Sequence, residues 1–397
     1  MLVLLAAIAI SAKFEGGNLG RVEQVTPTHF RCSLVGEVDH DQRNRQANWY
    51  YFRVDGARGK QVTIDLVNLP GEYNYLPNRG AVTKDTVPVV SDDDKAWRFA
   101  DKVEYDAAEP RLRIRLNPTG NRIWIAHTPP YTNKHLDRLL RESERSPYFE
   151  SQVIGRSVEN RPLYLWTVTD SSAAVAESGK KVIWLMARQH SWETFTSWVL
   201  EGALRHLLAD GEESRRLRKD AIWKILPAAD PDGLAHGGVR FNRKGFDLNR
   251  NWDVEDAGNI PEITAQRRVM LAWVDAGKRC DLFLSMHNTE TAEYLEGPPD
   301  GFGSLAGRLL ELLQAKAGFS PSRGLSMAAV MTTEGRPGRM TVVQGLWRDR
   351  KFPAFLTEQR VSAQPGSGRL LNVGDRLEYG GKLPRAMLEA VRSAKEQ

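Results

Sequence analysis

The chain has 397 residues, 41% of them apolar and 26% charged, the profile of an ordinary globular protein long enough for two domains with sizeable cores and without repeats or low-complexity segments. Lys and Arg number 55 against 50 Asp and Glu, a formal charge of +5; the basic residues are scattered, so the clustered footprint of a nucleic-acid binder is missing and the charge reads as a solvated surface with at most a cationic cleft. Two cysteines, Cys32 and Cys280, exclude a disulfide framework and offer no metal-ligand spacing.

Met1 to Ile10 is uninterrupted apolar sequence followed by Ser11 and Ala12, a pattern with two readings. One is the hydrophobic stretch and small-residue end of an export signal, though no basic residue precedes it. The other is that Ala7 to Ala12 opens the first strand of the fold, with Phe14 to Leu19 as the turn after it. The stretch is far too short to span a bilayer. From Phe14 to about Pro130, short β-type runs alternate with turn residues. Trp49 to Val54, Gln61 to Leu66, Leu112 to Leu116 and Arg122 to Ala126 alternate or nearly so, separated by Asp55-Gly56, Pro70-Gly71 and Pro118-Thr119-Gly120. This predicts half-buried antiparallel strands in an all-β sandwich. His29, His40 and His127 are isolated within it and carry no catalytic constellation.

Thr128-Pro129-Pro130 closes that unit, so residues 1–130 are expected to form one domain and 131–397 a second. Leu136, Leu139 and Leu140 fall at helical spacing between Asn133 and Glu144. Strand-like and helical runs then alternate: strands at Leu163 to Val168, Val182 to Ala187, Ala221 to Leu226 and Asp281 to Met286, helices at Thr196 to Leu208, Arg267 to Ala276 and Leu305 to Ala317. A last helix is expected from Pro384, well suited to a first helical position, to Lys395. Alternation of this kind predicts an α/β layer fold, with a mixed, mainly parallel sheet sandwiched by helices and a site at its strand ends.

The polar break after Val182 to Ala187 carries His190 and Glu193. Three residues apart, they are expected on one face of the next helix's first turn, where an imidazole nitrogen and a carboxylate oxygen reach one ion. Nitrogen and oxygen ligands suit Zn²⁺, which in a catalytic site takes a third protein ligand and keeps an open position. Alone, H-x-x-E also describes an ordinary helix start with a surface His and Glu. Downstream, Asp230-Pro231-Asp232-Gly233 is a turn, Arg240, Arg243 and Lys244 precede Asp247-Leu248-Asn249-Arg250-Asn251-Trp252, Ser285-Met286-His287-Asn288 ends a predicted strand, and Phe355-Leu356-Thr357-Glu358 ends another.

The order H-x-x-E, D-L-N-R-N-W, S-M-H-N, L-T-E resembles the zinc metallocarboxypeptidases. F-E-G-G-N-L, P-Y-T at Pro130 to Thr132, I-G-R-S-V-E-N-R-P-L from Ile154 and A-R-Q-H-S-W-E-T are similar to the cytosolic-carboxypeptidase-like branch, whose catalytic domain follows a β-sandwich. The resemblance covers nearly the whole chain. It implies His190, Glu193 and His287 as the ligands of one zinc per chain and Asp247 as the acid that orients a ligand imidazole. It further implies Glu358 as general base and Arg240 as the group that polarises the scissile carbonyl, with Arg243 as an alternative if the loop is registered differently. Asn249 and Arg250 match the pair that grips a terminal carboxylate, for which a guanidinium fork is suited. Gly338-Arg339-Met340-Thr341-Val342-Val343 is similar to a stretch whose arginine meets an acidic substrate side chain.

Three departures stand out. Members commonly carry an active-site Tyr before the general base, yet no Tyr lies between Tyr294 and Tyr379. Their H-P-G-E is H-S-W-E here, so Trp192 is expected to reshape the pocket rim, and N-P-D-G is D-P-D-G. The resemblance implies a zinc carboxypeptidase hydrolysing the C-terminal peptide or isopeptide bond of a peptide or protein tail; from the scattered charge and the short apolar run, neither a nucleic-acid partner nor a membrane span is expected. Two alternatives remain: a zinc amidase on cell-wall peptides or N-acyl amino acids, and an inactive binding protein. The compartment is cytoplasmic or, if residues 1–12 are the remnant of a signal, exported.

Overall fold

The computed structural model describes residues 7–172, 179–328 and 336–394. Its first part is built from alternation. In Val62–Val67 and Arg111–Leu116, Val62, Ile64, Leu66, Leu112, Ile114 and Leu116 turn inward while Arg111, Arg113 and Arg115 stay at the surface, as a period of two demands. Two five-stranded sheets result. One runs in the order Ala9–Ser11, Tyr51–Asp55, Arg122–Ala126, Val89–Ser91, Arg98–Phe99; the other runs Lys102–Asp106, Arg111–Leu116, Val62–Val67, His29–Ser33, Val22–Thr26. Phe30, Phe52, Ile64, Ile114 and Ile125 fill the space between them. Ala9–Ser11 pairs antiparallel with Tyr51–Asp55, so this segment of the N-terminal apolar run is a strand; residues 1–6 lie outside the described residues. A small sheet of Glu37–Val38, Arg45–Gln46, Gly71–Tyr73 and Leu76–Asn78 hangs from the sandwich. Cys32 and Cys280 are free thiols.

The second part is organised on an eight-stranded sheet, in the order Phe149–Arg156, Pro162–Val168, Ala221–Leu226, Lys181–Ala187, Leu282–Thr289, Ala354–Arg360, Tyr294–Gly297, Ser326–Met327. Its four central strands are parallel, with antiparallel neighbours outside them. Because both faces are covered, the central strands read as continuous apolar runs. Ile183 and Leu185 pack with Val199, Leu204 and Met387 on one face. Trp184 and Met186 pack with Ile260, Met270, Val342 and Leu346 on the other. Among the described residues no helix is long and apolar enough to cross a membrane.

Two helices start elsewhere than expected, and a third keeps its expected bounds but changes form in its last turn. The helix expected from Arg267 begins at Pro261, with that proline at its first position. Leu305–Leu312 continues into a widened π-helical turn, Leu313–Ala317, closed by Gly318 in the left-handed region. The last helix is Val373–Ser393, capped by the Asn372 side chain, and Pro384 lies inside it rather than at its start. Lys395 is outside the described residues. An internal proline costs about 3 kcal/mol. Here Leu383, Ala386, Met387 and Ala390 are buried along the same face, and Gly380 sits so close to the Thr194–Leu208 helix that an added Cβ would lie 2.0 Å from the Val199 carbonyl oxygen. Burial along both helices outweighs the lost hydrogen bond.

Candidate active site

The site lies where the parallel strands end. At the end of Lys181–Ala187 the chain turns sharply through Arg188, whose φ is +60°. The buried Arg188 guanidinium fixes this turn, donating to the Tyr131 carbonyl at 2.9 Å, to Ser197 Oγ at 3.1 Å and to the Ser191 carbonyl. His190 and Glu193 therefore sit on the turn before the helix and not in its first turn: the helix is Thr194–Leu208, and Glu193 is its N-cap residue. The tight turn points both side chains at one place. His190 Nδ1 is 2.7 Å from Glu193 Oε1, and His287 Nδ1 is 3.0 Å from Glu193 Oε2. His287 arrives from Leu282–Thr289, two positions after Ser285 on the same strand face.

The outer nitrogen of each imidazole is tied. His190 Nε2 is 3.0 Å from Asp247 Oδ1, and His287 Nε2 is 2.9 Å from Gln189 Oε1 and 3.0 Å from Ser285 Oγ. Donation through Nε2 leaves each Nδ1 as a lone pair aimed at the Glu193 carboxylate. Two acceptors facing each other in a buried space repel unless a cation lies between them. Accordingly, His287 Nδ1 and Glu193 Oε2 are buried without a hydrogen-bond partner, an arrangement that costs about 1–3 kcal/mol per group if nothing fills it. One ligand atom from each of His190, Glu193 and His287 lies within 4.8 Å of the others. Two nitrogens, one carboxylate and outer-shell partners on both histidines fit a zinc ion. Without a cation, only protonation of the imidazoles at Nδ1 relieves this repulsion; against the burial that pushes it up, the protonated rings then hold the Glu193 carboxyl below its ordinary range.

Asp247 has two tasks. Its Oδ1 meets His190 and its Oδ2 accepts from Arg240 Nε at 2.7 Å. Burial would raise its pKa, yet Arg240 and His190 hold it well below the carboxylate range. Arg243 instead donates to Glu159 at 2.9 Å on the surface; the structure thus brings Arg240, and not Arg243, to this cluster. Glu358 stands opposite His287 on one side and Tyr294 on the other in the sheet register. Its Oε2 is sealed from solvent without a partner, and burial, followed by the Glu193 charge, pushes its carboxyl well above the ordinary range.

Asn249 and Arg250 follow on the same loop. The Asn249 carboxamide oxygen accepts from the Val342 amide at 3.0 Å, while Arg250 donates to the Asn249 carbonyl at 2.7 Å. Arg250 lines a cavity of about 410 Å³ together with Arg240, Asp247, Arg339 and, from the sandwich, His40 and Tyr75. In that cavity Arg339 lies 3.8 Å from Asp41.

Several side chains at the site escaped the sequence reading. Gln189 and Ser285 orient His287, and their only signal was their place inside the A-R-Q-H and S-M-H-N motifs. Tyr294, pushed up to about 12 by burial and the Glu358 charge, is stacked under the Arg323 guanidinium at 3.6 Å. Trp192 does not shape a pocket rim. It is buried, edge-on to His127 at 5.7 Å and packed with Trp49, Tyr51 and Val239, because a wide apolar ring at this turn is what seals the sandwich against the sheet.

Comparison with known proteins agrees with this geometry. The zinc carboxypeptidase family model matches residues 137–294, and the model of the cytosolic carboxypeptidase N-terminal domain matches residues 10–127. An uncharacterized protein of Zymomonas mobilis, ZMO1242, is 30% identical over 300 residues, which cover 74% of this chain and 72% of that protein. The chain belongs to the zinc carboxypeptidase family, in its cytosolic-carboxypeptidase branch. Cytosolic carboxypeptidase 2 of Danio rerio is 27% identical over 268 residues, 62% of this chain and 36% of its own length. Cytosolic carboxypeptidase 6 of Caenorhabditis elegans is 28% identical over 275 residues, 66% of this chain and 58% of its own. The chain thus spans less than two thirds of these two named relatives. In fold, it matches a metallo-carboxypeptidase from Burkholderia cenocepacia with a TM-score of 0.81 at 22% identity, over 98% of this chain and 100% of that one. A metallo-carboxypeptidase from Pseudomonas aeruginosa matches with a TM-score of 0.80 at 24% identity, over 97% and 99% respectively.

Proposed function

We propose that this member of the family is a zinc metallocarboxypeptidase that hydrolyses the C-terminal peptide or isopeptide bond of a peptide or protein tail. Residues 131–397 act as the catalytic domain behind a sandwich of residues 1–130. The reading rests on the convergence of three buried ligand atoms within 4.8 Å, with His287 Nδ1 and Glu193 Oε2 left without a hydrogen bond. His190, Glu193 and His287 would hold one zinc per chain, and Asp247 keeps the His190 ring turned toward it. Bound there, zinc supplies Lewis acidity that polarises an acyl oxygen and acidifies water.

The remaining chemistry belongs to the chain. Glu358, a carboxyl raised above its ordinary range by burial and the Glu193 charge, takes the proton from the attacking water and hands it to the departing amine nitrogen. Arg240 donates to the carbonyl oxygen as negative charge grows on it. Arg250, with Asn249 beside it, pairs with the terminal carboxylate, and that demand for a free carboxylate makes the enzyme an exopeptidase. Arg339 in the same cavity favours an acidic side chain at the substrate's C-terminus, because a desolvated charge pair is hard for an apolar residue to replace.

The deciding experiment is mass spectrometry of a mixed peptide pool, free-acid and C-terminally amidated, after incubation with zinc-loaded protein. Loss of single C-terminal residues from free-acid peptides alone is the expected result. Equal cleavage of both kinds would move the reading to an amidase or an endopeptidase, and no cleavage with zinc bound would move it to a binding protein.

A further inference from the structure

The loop of residues 238–247 carries both Arg240 and Asp247 yet has almost no regular structure of its own, a single isolated bridge between Phe241 and Asp247 excepted. Such a loop leaves its backbone amides in need of acceptors. They are met from the other half of the molecule. Glu37, at the start of the small Glu37–Val38 strand, extends one carboxylate oxygen to three consecutive amides: Val239 at 3.1 Å, Phe241 at 2.7 Å and, between them, Arg240. Residue 238 is glycine at a crowded point: an added Cβ would lie 3.0 Å from Gly233 Cα, 3.2 Å from Ser191 Oγ and 3.3 Å from Glu37 Oε1.

The far leg of the loop is held by the same strand end. The His40 amide donates to the Gly245 carbonyl at 2.9 Å, and the His40 ring lies flat on Phe246, 3.9 Å between centroids with planes 10° apart. Gly245 has φ +82°, and a Cβ there would come within 2.6 Å of the His40 nitrogen. We infer that Glu37 is a positioning residue for Arg240: by gripping three successive amides around it, the sandwich sets where the guanidinium stands beside Asp247 and the reacting carbonyl. The inference rests on the proposed part of Arg240 in the chemistry. A charge-assisted contact to three amides is strong and directional, and losing a group that only orients a reacting one commonly costs tenfold to a hundredfold.

The test compares Glu37→Gln, Arg240→Ala and the double variant, all zinc-loaded, on the free-acid peptide that the wild type cleaves fastest. Glu37→Gln should lower kcat about ten- to a hundredfold with KM and zinc content unchanged, since a neutral amide oxygen accepts from the three backbone amides more weakly than a carboxylate and holds Arg240 less firmly in the transition state. Arg240→Ala should lose about 10²–10³-fold, and adding Glu37→Gln to it should cost nothing more. A double variant slower than Arg240→Ala by the full Glu37→Gln factor overturns the positioning role alone. Unaltered turnover in Arg240→Ala overturns the reading of Arg240 and this inference with it. Independently of activity, amide hydrogen exchange over residues 239–241 should rise in Glu37→Gln while 190–193 stays protected, and unchanged exchange there would overturn the clasp. If Glu37→Gln does not fold, Glu37→Asp, which withdraws the same charge by one methylene, carries the same comparisons.

Discussion

Asp65 in the sandwich and Glu193 at the sheet end are equally shielded from solvent, at 1% and 2% exposure, and are treated in opposite ways. Asp65 accepts from Arg113 through both oxygens, at 2.7 and 2.8 Å, and meets His29 Nε2 at 2.8 Å. Glu193 faces two imidazole nitrogens and keeps one oxygen without a hydrogen bond, and Glu358 close by does the same. A carboxylate with all its partners belongs to the scaffold. A carboxylate buried among other acceptors is an unpaid cost within the scaffold alone, and it is repaid only by something that arrives: an ion, a water or a substrate.

If that contrast is right, changes at the two sites must separate chemistry from stability. The largest effect is expected at the sheet end. Glu358→Gln should retain zinc by elemental analysis and lose about 10²–10⁴-fold in kcat, whereas His287→Ala should lose zinc and turnover together. Full activity in Glu358→Gln would remove the base from the proposal. Removing zinc with a chelator should lower the melting temperature of the wild type, since an ion that binds only the folded chain stabilises it. His287→Ala, without a complete site, should show no such shift.

Next in size is Arg250→Ala, expected to cost about 2 kcal/mol in kcat/KM on free-acid peptides, the scale of a charge-assisted pair, and to leave the poor cleavage of amidated peptides unchanged. Asp65→Asn should reverse the pattern, destabilising the fold by about 1.5–3 kcal/mol in denaturant titrations with zinc content and kcat preserved. The pH dependence sharpens this further. Burial alone would raise Asp65, but the bonds from Arg113 and His29 more than offset it, so its folded pKa lies below the ordinary value. Its stabilisation is therefore complete above about pH 4, the unfolded value, and is lost as the pH falls through the lower folded one. The stability gap between wild type and Asp65→Asn should close in acid, and a gap that widened would contradict the pairing. The smallest effect is expected from Arg339→Ala, which should flatten a preference for C-terminal Glu over Leu and Lys while zinc stays bound; a wild type that releases Leu as fast as Glu would discard that preference.

What could be read before folding was local. Alternation of apolar residues marked Val62–Val67 and Arg111–Leu116, and continuous apolar runs marked Lys181–Ala187 and Ala221–Leu226; His190, Glu193, His287 and Glu358 were gathered only by the resemblance of four ordered motifs to the zinc metallocarboxypeptidases. Those signals survive in one dimension because strand periodicity and strand-end placement are properties of neighbouring residues. Where a local rule met a distant contact, the contact prevailed. Pro384 looked like a helix start and became the middle of a helix because Gly380 lets two helices close together. His190 and Glu193, spaced as on a helix, are brought together by a turn that the buried Arg188 locks.

The amino-acid sequence by itself carried the candidate ligand side chains of this protein, its strand-ending motifs and its succession of β-rich and α/β stretches. Only the tertiary structure decided which arginine stands in the site, that Gln189 and Ser285 hold His287, and that Glu37 reaches Arg240 across 203 positions of chain. The physical reason is that a hydrogen bond depends on a few tenths of an ångström and on angle, and no local pattern records where a residue two hundred positions away will place its oxygen.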